Sequence, residues 1–186
     1  MILPRIARWL LALGGWTVIG AVPPVNKAVI IAAPHTSYWD GFWALVFKTA
    51  TGLDARWFVK NTMFWFPLGS LLRAFGAVPL DRRNAGSAVN EAIAAFDTNE
   101  RFFFGLAPEG TRSKTAGWKS GFYRIADGAA VPVLCGFLDY RGRRLGLGPM
   151  ITLTGDRQSD LVLFRSFYAS VHGRRPGNAS PVELLR

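Results

Sequence analysis

Ala33-Pro34-His35-Thr36-Ser37-Tyr38-Trp39-Asp40 closes an apolar run that begins at residue 28 and opens an aromatic-rich one. An apolar run that stops at Pro-His-Thr-Ser reads as a buried strand ending in a polar turn. A strand end is a rigid mount for chemistry. One of the chain's two histidines sits in this turn, with an aspartate five positions later. Imidazole moves protons near neutral pH. A carboxylate on its other nitrogen fixes the tautomer and stabilises the imidazolium as it forms. On a single helix, side chains five apart point about 140° away from each other. His35 and Asp40 meet only if His35 lies in the turn and Asp40 on the helix that follows. Pro34 before His35 and Thr36-Ser37 after it favour that arrangement, since Ser or Thr can cap a helix opening near Tyr38. Taken alone, His-x4-Asp also fits a satisfied structural histidine.

A second stretch has the same layout. The apolar run Phe102–Leu106 stops at Ala107-Pro108-Glu109-Gly110-Thr111-Arg112-Ser113. Gly110 lets backbone approach a ligand closely, and Arg112 offers a planar fork suited to phosphate or carboxylate. A glycine turn with a surface Arg–Glu pair is the plainer reading of the same residues.

Together, Pro-His-Thr-Ser-x-x-Asp at 34–40 and Pro-Glu-Gly-Thr-Arg-Ser at 108–113 resemble the glycerolipid acyltransferase family, typified by the 1-acylglycerol-3-phosphate acyltransferases. His35 and Asp40 match the first of that family's four blocks, and Glu109, Gly110, Thr111 and Arg112 match the third. In the second block, usually Gly-x-x-Phe-Ile-x-Arg, Gly76 and Arg82 match, while Pro79 replaces the aromatic. In the fourth, Val131-Pro132-Val133-Leu134 match and Cys135 stands where a second proline is common. The similarity spans roughly residues 30–140.

The resemblance implies transfer of an acyl group from a thioester donor, acyl-CoA or acyl-acyl carrier protein, to a hydroxyl of a lysophospholipid or glycerol-phosphate-like acceptor. His35 would be the general base and Asp40 its orienting partner. Arg82 and Arg112 would hold the acceptor phosphate, with Gly110 and Thr111 beside it, and Glu109 would orient Arg112 or an acceptor hydroxyl. No bound cofactor and no metal are expected. Two other readings stay open: a non-catalytic basic membrane-binding module, and a serine hydrolase using Ser37, which lacks a Gly-x-Ser-x-Gly elbow.

At 186 residues the chain fits one domain with a sizeable core. Half its residues are hydrophobic and 13% aromatic, an excess that marks lipid or membrane contact. The formal charge is +10, and only Asp40 and Asp54 are acidic among the first eighty residues. Such a balance suits an anionic membrane surface or acidic substrates. The basic residues are scattered and no nucleic-acid motif is present, so nucleic acid is not expected as a partner. One cysteine, Cys135 in an apolar run, excludes an internal disulfide. No Cys/His cluster has metal-ligand spacing.

Residues 2–13 set Arg5 and Arg8 among apolar side chains before Gly14-Gly15. The uncharged run 9–22 has fourteen residues, short of the ~20 that a spanning helix needs. A signal peptide, a core helix and an interfacial helix covering about residues 1–15 all fit this pattern, the last with its apolar face in lipid. Family members commonly attach to membranes through this region. The resemblance therefore implies a peripheral or monotopic protein at the cytoplasmic face.

Further along, the pattern predicts a strand over Lys27–Ala33, a helix over Tyr38–Thr51 and strands over Ala55–Lys60 and Ala77–Leu80. Residues 61–75 read as one apolar segment, either a core helix or a wall of an acyl-chain groove. Helices are expected over 87–98 and 120–127, and a core strand over 131–138. A Gly-rich turn over 139–148 leads to a hairpin strand at 150–153, and an amphipathic helix covers 161–171. His172 sits at that helix's end, where a cation is favoured, and 177–186 reads as frayed. The fold class is α/β, a mixed, largely parallel sheet flanked by helices, as the resemblance also implies.

Overall fold

Val29, Ile31 and Ala33 alternate along their strand with Ala28 and Ile30, and nearly all are shielded from solvent. A strand buried on both faces belongs inside a sheet covered on both sides, and that is its place in the computed structural model of the protein, which describes residues 2–80 and 85–185. In chain order the strands are β1 (Thr17–Ile19), β2 (Lys27–Ala33), β3 (Ala55–Lys60), β4 (Ala77–Leu80), β5 (Phe102–Leu106), β6 (Val133–Asp139) and β7 (Arg144–Ile151). The helices are α1 (Leu3–Leu13), α2 (Tyr38–Thr51), α3 (Leu68–Ala74), α4 (Ala85–Thr98), α5 (Gly121–Gly128) and α6 (Arg157–Tyr168). The sheet order is β1-β7-β6-β2-β5-β3-β4. Every described pairing is parallel except β6 with β7.

The alternation on β2 divides the core in two. Val29, Ile31 and Ala33 pack with Phe96 of α4, Phe122 of α5 and Phe164 of α6. Ala28 and Ile30 pack with Ala7 and Leu11 of α1 and Val46, Phe47 and Ala50 of α2. The sheet is thus the middle of three layers. Because β2 pairs in parallel with both β5 and β6, the ends of all three strands reach one edge of the sheet. Ligands of open α/β sheets bind at that carboxyl edge.

Four segments differ from their sequence patterns. Helix α6 covers Arg157–Tyr168 rather than 161–171, because Asp156 caps it by accepting the Gln158 N–H. Residues 61–75 do not form one helix. A short 3-10 turn, Asn61–Met63, and α3 flank Pro67, whose ring cannot sit in a helix interior. Met63, Trp65, Phe66 and Leu71 of this segment are exposed, so it is not core. Strand β7 begins at Arg144, six residues before the expected start. The tail is not frayed over its described residues. Leu184 bridges to Trp118, and Ser180 is buried and accepts a hydrogen bond from the Thr115 N–H at 3.0 Å.

Candidate active site

Ser37 and Asp40 form a reciprocal cap at the start of α2. The Ser37 hydroxyl accepts from the Trp39 N–H (3.2 Å), and the Ser37 N–H donates to Asp40 Oδ2 (2.8 Å). Asp40 is therefore the third residue of a helix whose cap lies two residues after His35. This arrangement brings together two side chains that one helix would separate. His35 Nδ1 lies 3.3 Å from Asp40 Oδ2. The Thr36 N–H donates to the same oxygen at 2.7 Å, and the Tyr140 hydroxyl donates to Oδ1 at 2.8 Å.

Asp40 is 3% exposed. Burial is the largest influence on its carboxyl and pushes the pKa up, but the bonds from His35, Tyr140, Ser37 and Thr36 together outweigh it and hold the value below 3.8. An ionised carboxylate only accepts, so His35 Nδ1 carries the proton toward it. In the neutral imidazole this tautomer leaves Nε2 with its lone pair, and the side chain is 22% exposed. Burial and the neighbouring Asp40 charge push the Tyr140 hydroxyl well above its ordinary pKa, so it stays a donor.

The second turn packs beneath the first. Glu109, 1% exposed, accepts the His35 backbone N–H on Oε1 at 3.0 Å, while its other oxygen has no hydrogen-bond partner among the described residues. Burial raises the Glu109 carboxyl, an effect that the bonds from the His35 and Glu109 N–H groups only partly offset. Glu109 therefore braces the histidine turn rather than Arg112. Gly110 takes φ +65°, the left-handed conformation that this turn needs. The Thr111 hydroxyl accepts the Ser113 N–H at 3.4 Å. The Arg112 guanidinium stacks over the Tyr38 ring at 3.6 Å. Arg112, Thr111 and Ser37 line a cleft of about 210 Å³ between the two turns. Arg82 lies outside the described residues.

Of the other residues weighed from sequence, Ser37 spends its hydroxyl on the helix cap. His172 lies beyond the end of α6, with Nδ1 3.1 Å from the Ser170 carbonyl. Cys135 is fully buried, and burial pushes its thiol up to about 12, which marks it as an inert core residue.

A family model described as Acyltransferase matches residues 17–136, more than half of the chain. The chain belongs to the acyltransferase family. Among solved structures, the fold is similar to that of the 1-acyl-sn-glycerophosphate (LPA) acyltransferase PlsC from Thermotoga maritima. The TM-score is 0.59 at 18% identity, covering 88% of this chain and 74% of the other. No curated protein matches the chain. For this acyltransferase, the matched span contains His35, Asp40, Glu109 and Arg112 but stops short of three residues that touch the same site: Tyr140, Arg175 and Asn178. No motif pointed to them. Tyr140 follows β6 at the edge where His35 follows β2 and Glu109 leads on from β5, so strand order was the signal that could have found it.

Proposed function

We propose that the protein transfers a fatty acyl group from acyl-CoA or acyl-acyl carrier protein to a hydroxyl of a lysophospholipid or glycerol-phosphate-like acceptor. The observation that carries this reading is the His35–Asp40 pair: Asp40 is held ionised by four donors, and the His35 turn runs directly into Thr36 and Ser37, which line the cleft. His35 Nε2 takes the acceptor's hydroxyl proton as its oxygen attacks the thioester carbonyl carbon. The new C–O bond forms, the C–S bond breaks, and the imidazolium returns its proton to the departing thiolate. Asp40 supports the imidazolium charge between these steps. No covalent enzyme intermediate is needed. Arg112 is suited to the acceptor phosphate, since stacking on Tyr38 leaves the rim of its guanidinium open for hydrogen bonds. Arg82 is proposed to share that role.

We also propose peripheral or monotopic attachment at the cytoplasmic face through α1. Ile2, Leu3, Ile6, Trp9 and Leu13 are exposed along it. Among the described residues no helix is long and apolar enough to cross a membrane. Incubating the purified protein with mixed lysophospholipids and each donor, then weighing the lipids by mass spectrometry, tests the reaction. The expected result is one added acyl mass on a phosphate-bearing acceptor, dependent on His35. Thioester loss without any acylated lipid would indicate a hydrolase and contradict the reading.

A further inference from the structure

The cleft between the two turns has a third wall, made by segment 173–178. This segment lies beyond α6 and outside the span matched by the family model. Gly173 is buried against the histidine turn so closely that a Cβ would come within 2.6 Å of Thr36 Oγ1 and 2.8 Å of Thr36 Cγ2. The Arg175 N–H donates to Thr36 Oγ1 at 3.2 Å, and Asn178 Nδ2 donates to the Arg112 carbonyl at 3.0 Å. The segment is therefore fastened to both motif turns by backbone and amide contacts. These contacts leave the Arg175 guanidinium unused. Arg175 lines the cleft with Arg112, and among the described residues neither guanidinium has a carboxylate partner.

Apart from the two arginines the lining is Thr36, Ser37, Tyr38, Thr111, Ser113 and Asn178, with no acid among the cleft's residues. Two guanidinium forks with hydroxyl and amide donors around them form a receptor for a tetrahedral oxyanion. A cation would be repelled, and an apolar chain would strand the donors. We propose that Arg175 and Arg112 together bind a phosphate group of a substrate in this cleft, Arg175 being contributed by the C-terminal segment. The phosphate belongs either to the acceptor or to the donor's carrier. Which substrate brings it rests on the acyl-transfer reading; the phosphate site itself does not.

Two measurements on the full chain separate these questions. The first is steady-state kinetics of Arg175→Ala and Arg175→Lys with each substrate varied in turn. The second is 31P NMR line broadening of inorganic phosphate, which needs no turnover. Because the Arg175 backbone and not its side chain holds Thr36, Arg175→Ala should fold. It should raise the acceptor KM by roughly tenfold, the low end for a charge-assisted contact on an exposed side chain. The rise in KM should exceed any fall in kcat, Arg175→Lys should recover part of the loss, and phosphate broadening should weaken. A rise confined to the donor KM, with the same loss of broadening, supports the site and assigns its phosphate to the donor. Unchanged KM values and unchanged broadening in Arg175→Ala overturn the proposal. If the wild type acylates no lipid, the acyl-transfer reading fails, and the phosphate signal still decides the site.

Discussion

Asp40 is the residue on which the site's chemistry and its local fold converge. One carboxylate caps α2, fixes the His35 turn and faces the imidazole, so its ionisation is coupled to stability. Its folded value lies below 3.8, so the stabilisation it supplies is present above that value and is lost as the pH falls through the depressed one. Tyr140→Phe removes one of the bonds that hold it down. The variant should lose about 1 kcal/mol at neutral pH by chemical denaturation, and the gap to wild type should close as the solution is acidified below 3.8. A gap independent of pH would detach Tyr140 from Asp40. Glu109 has the opposite sign. Its folded value lies above 4.5, so wild-type stability is full below 4.5 and declines as the pH rises through the raised value. Melting temperatures should therefore show Glu109→Gln gaining on wild type as pH rises from 4.5 toward neutral, and a flat difference would contradict the assignment. His35, Asp40, Glu109 and Arg112 were legible in the sequence because each lies within a few residues of its strand end. Tyr140 was not, because it reaches Asp40 across 100 residues by way of strand order.

At the scale of elements, α1 has two apolar faces. Ala7 and Leu11 are buried in the core, and the Arg8 side chain donates to the Ala50 carbonyl at 3.1 Å. Ile6 and Trp9 point outward, 47% and 62% exposed. The packed side fits the core-helix reading, the exposed side is where the proposed lipid contact would lie, and deleting the helix would confuse the two. Ile6→Ser with Trp9→Ser leaves the packed face intact. The double variant should keep its circular dichroism spectrum and melting temperature while binding vesicles at least about tenfold more weakly, since each large side chain buried in lipid contributes about 1.5–3 kcal/mol. Unaltered flotation would move the membrane contact to the exposed aromatics of 63–71. Apart from residues 61–75, strand and helix bounds in the first half of the chain followed closely from hydrophobic period and turn residues. Strand β7 did not, because Gly142, Gly146 and Gly148 read as a turn. Gly146 is there for another reason: β1 crosses so near that a Cβ would collide with the Ile19 carbonyl. A contact made from residue 19 to residue 146 leaves no local periodicity to read.

Over the whole molecule, one parallel edge gathers residues from four distant parts of the chain. The turn after β2 carries the proposed base, the turn after β5 braces it, and the residue after β6 bonds the Asp40 carboxylate beside it. The C-terminal segment closes the cleft. The mixed sheet, its flanking layers and two of these four parts could be expected from sequence. The C-terminal wall could not, because its contacts run through a glycine, a backbone N–H and an amide, none of which forms a pattern. The net charge of +10 acts at this scale as well. Flotation with anionic vesicles should fall as salt shortens the Debye length, and flotation with neutral vesicles should hold. Equal salt sensitivity on both would remove the charge from the account. The central claim is that His35 is the base in acyl transfer. Its most direct test is kcat/KM of His35→Ala, on protein shown by circular dichroism to be folded, with the acceptor found by mass spectrometry. General-base help accounts for at least about a hundredfold, so kcat/KM should fall by that factor or more. A folded variant that keeps more than about a tenth of wild-type kcat/KM would contradict the claim.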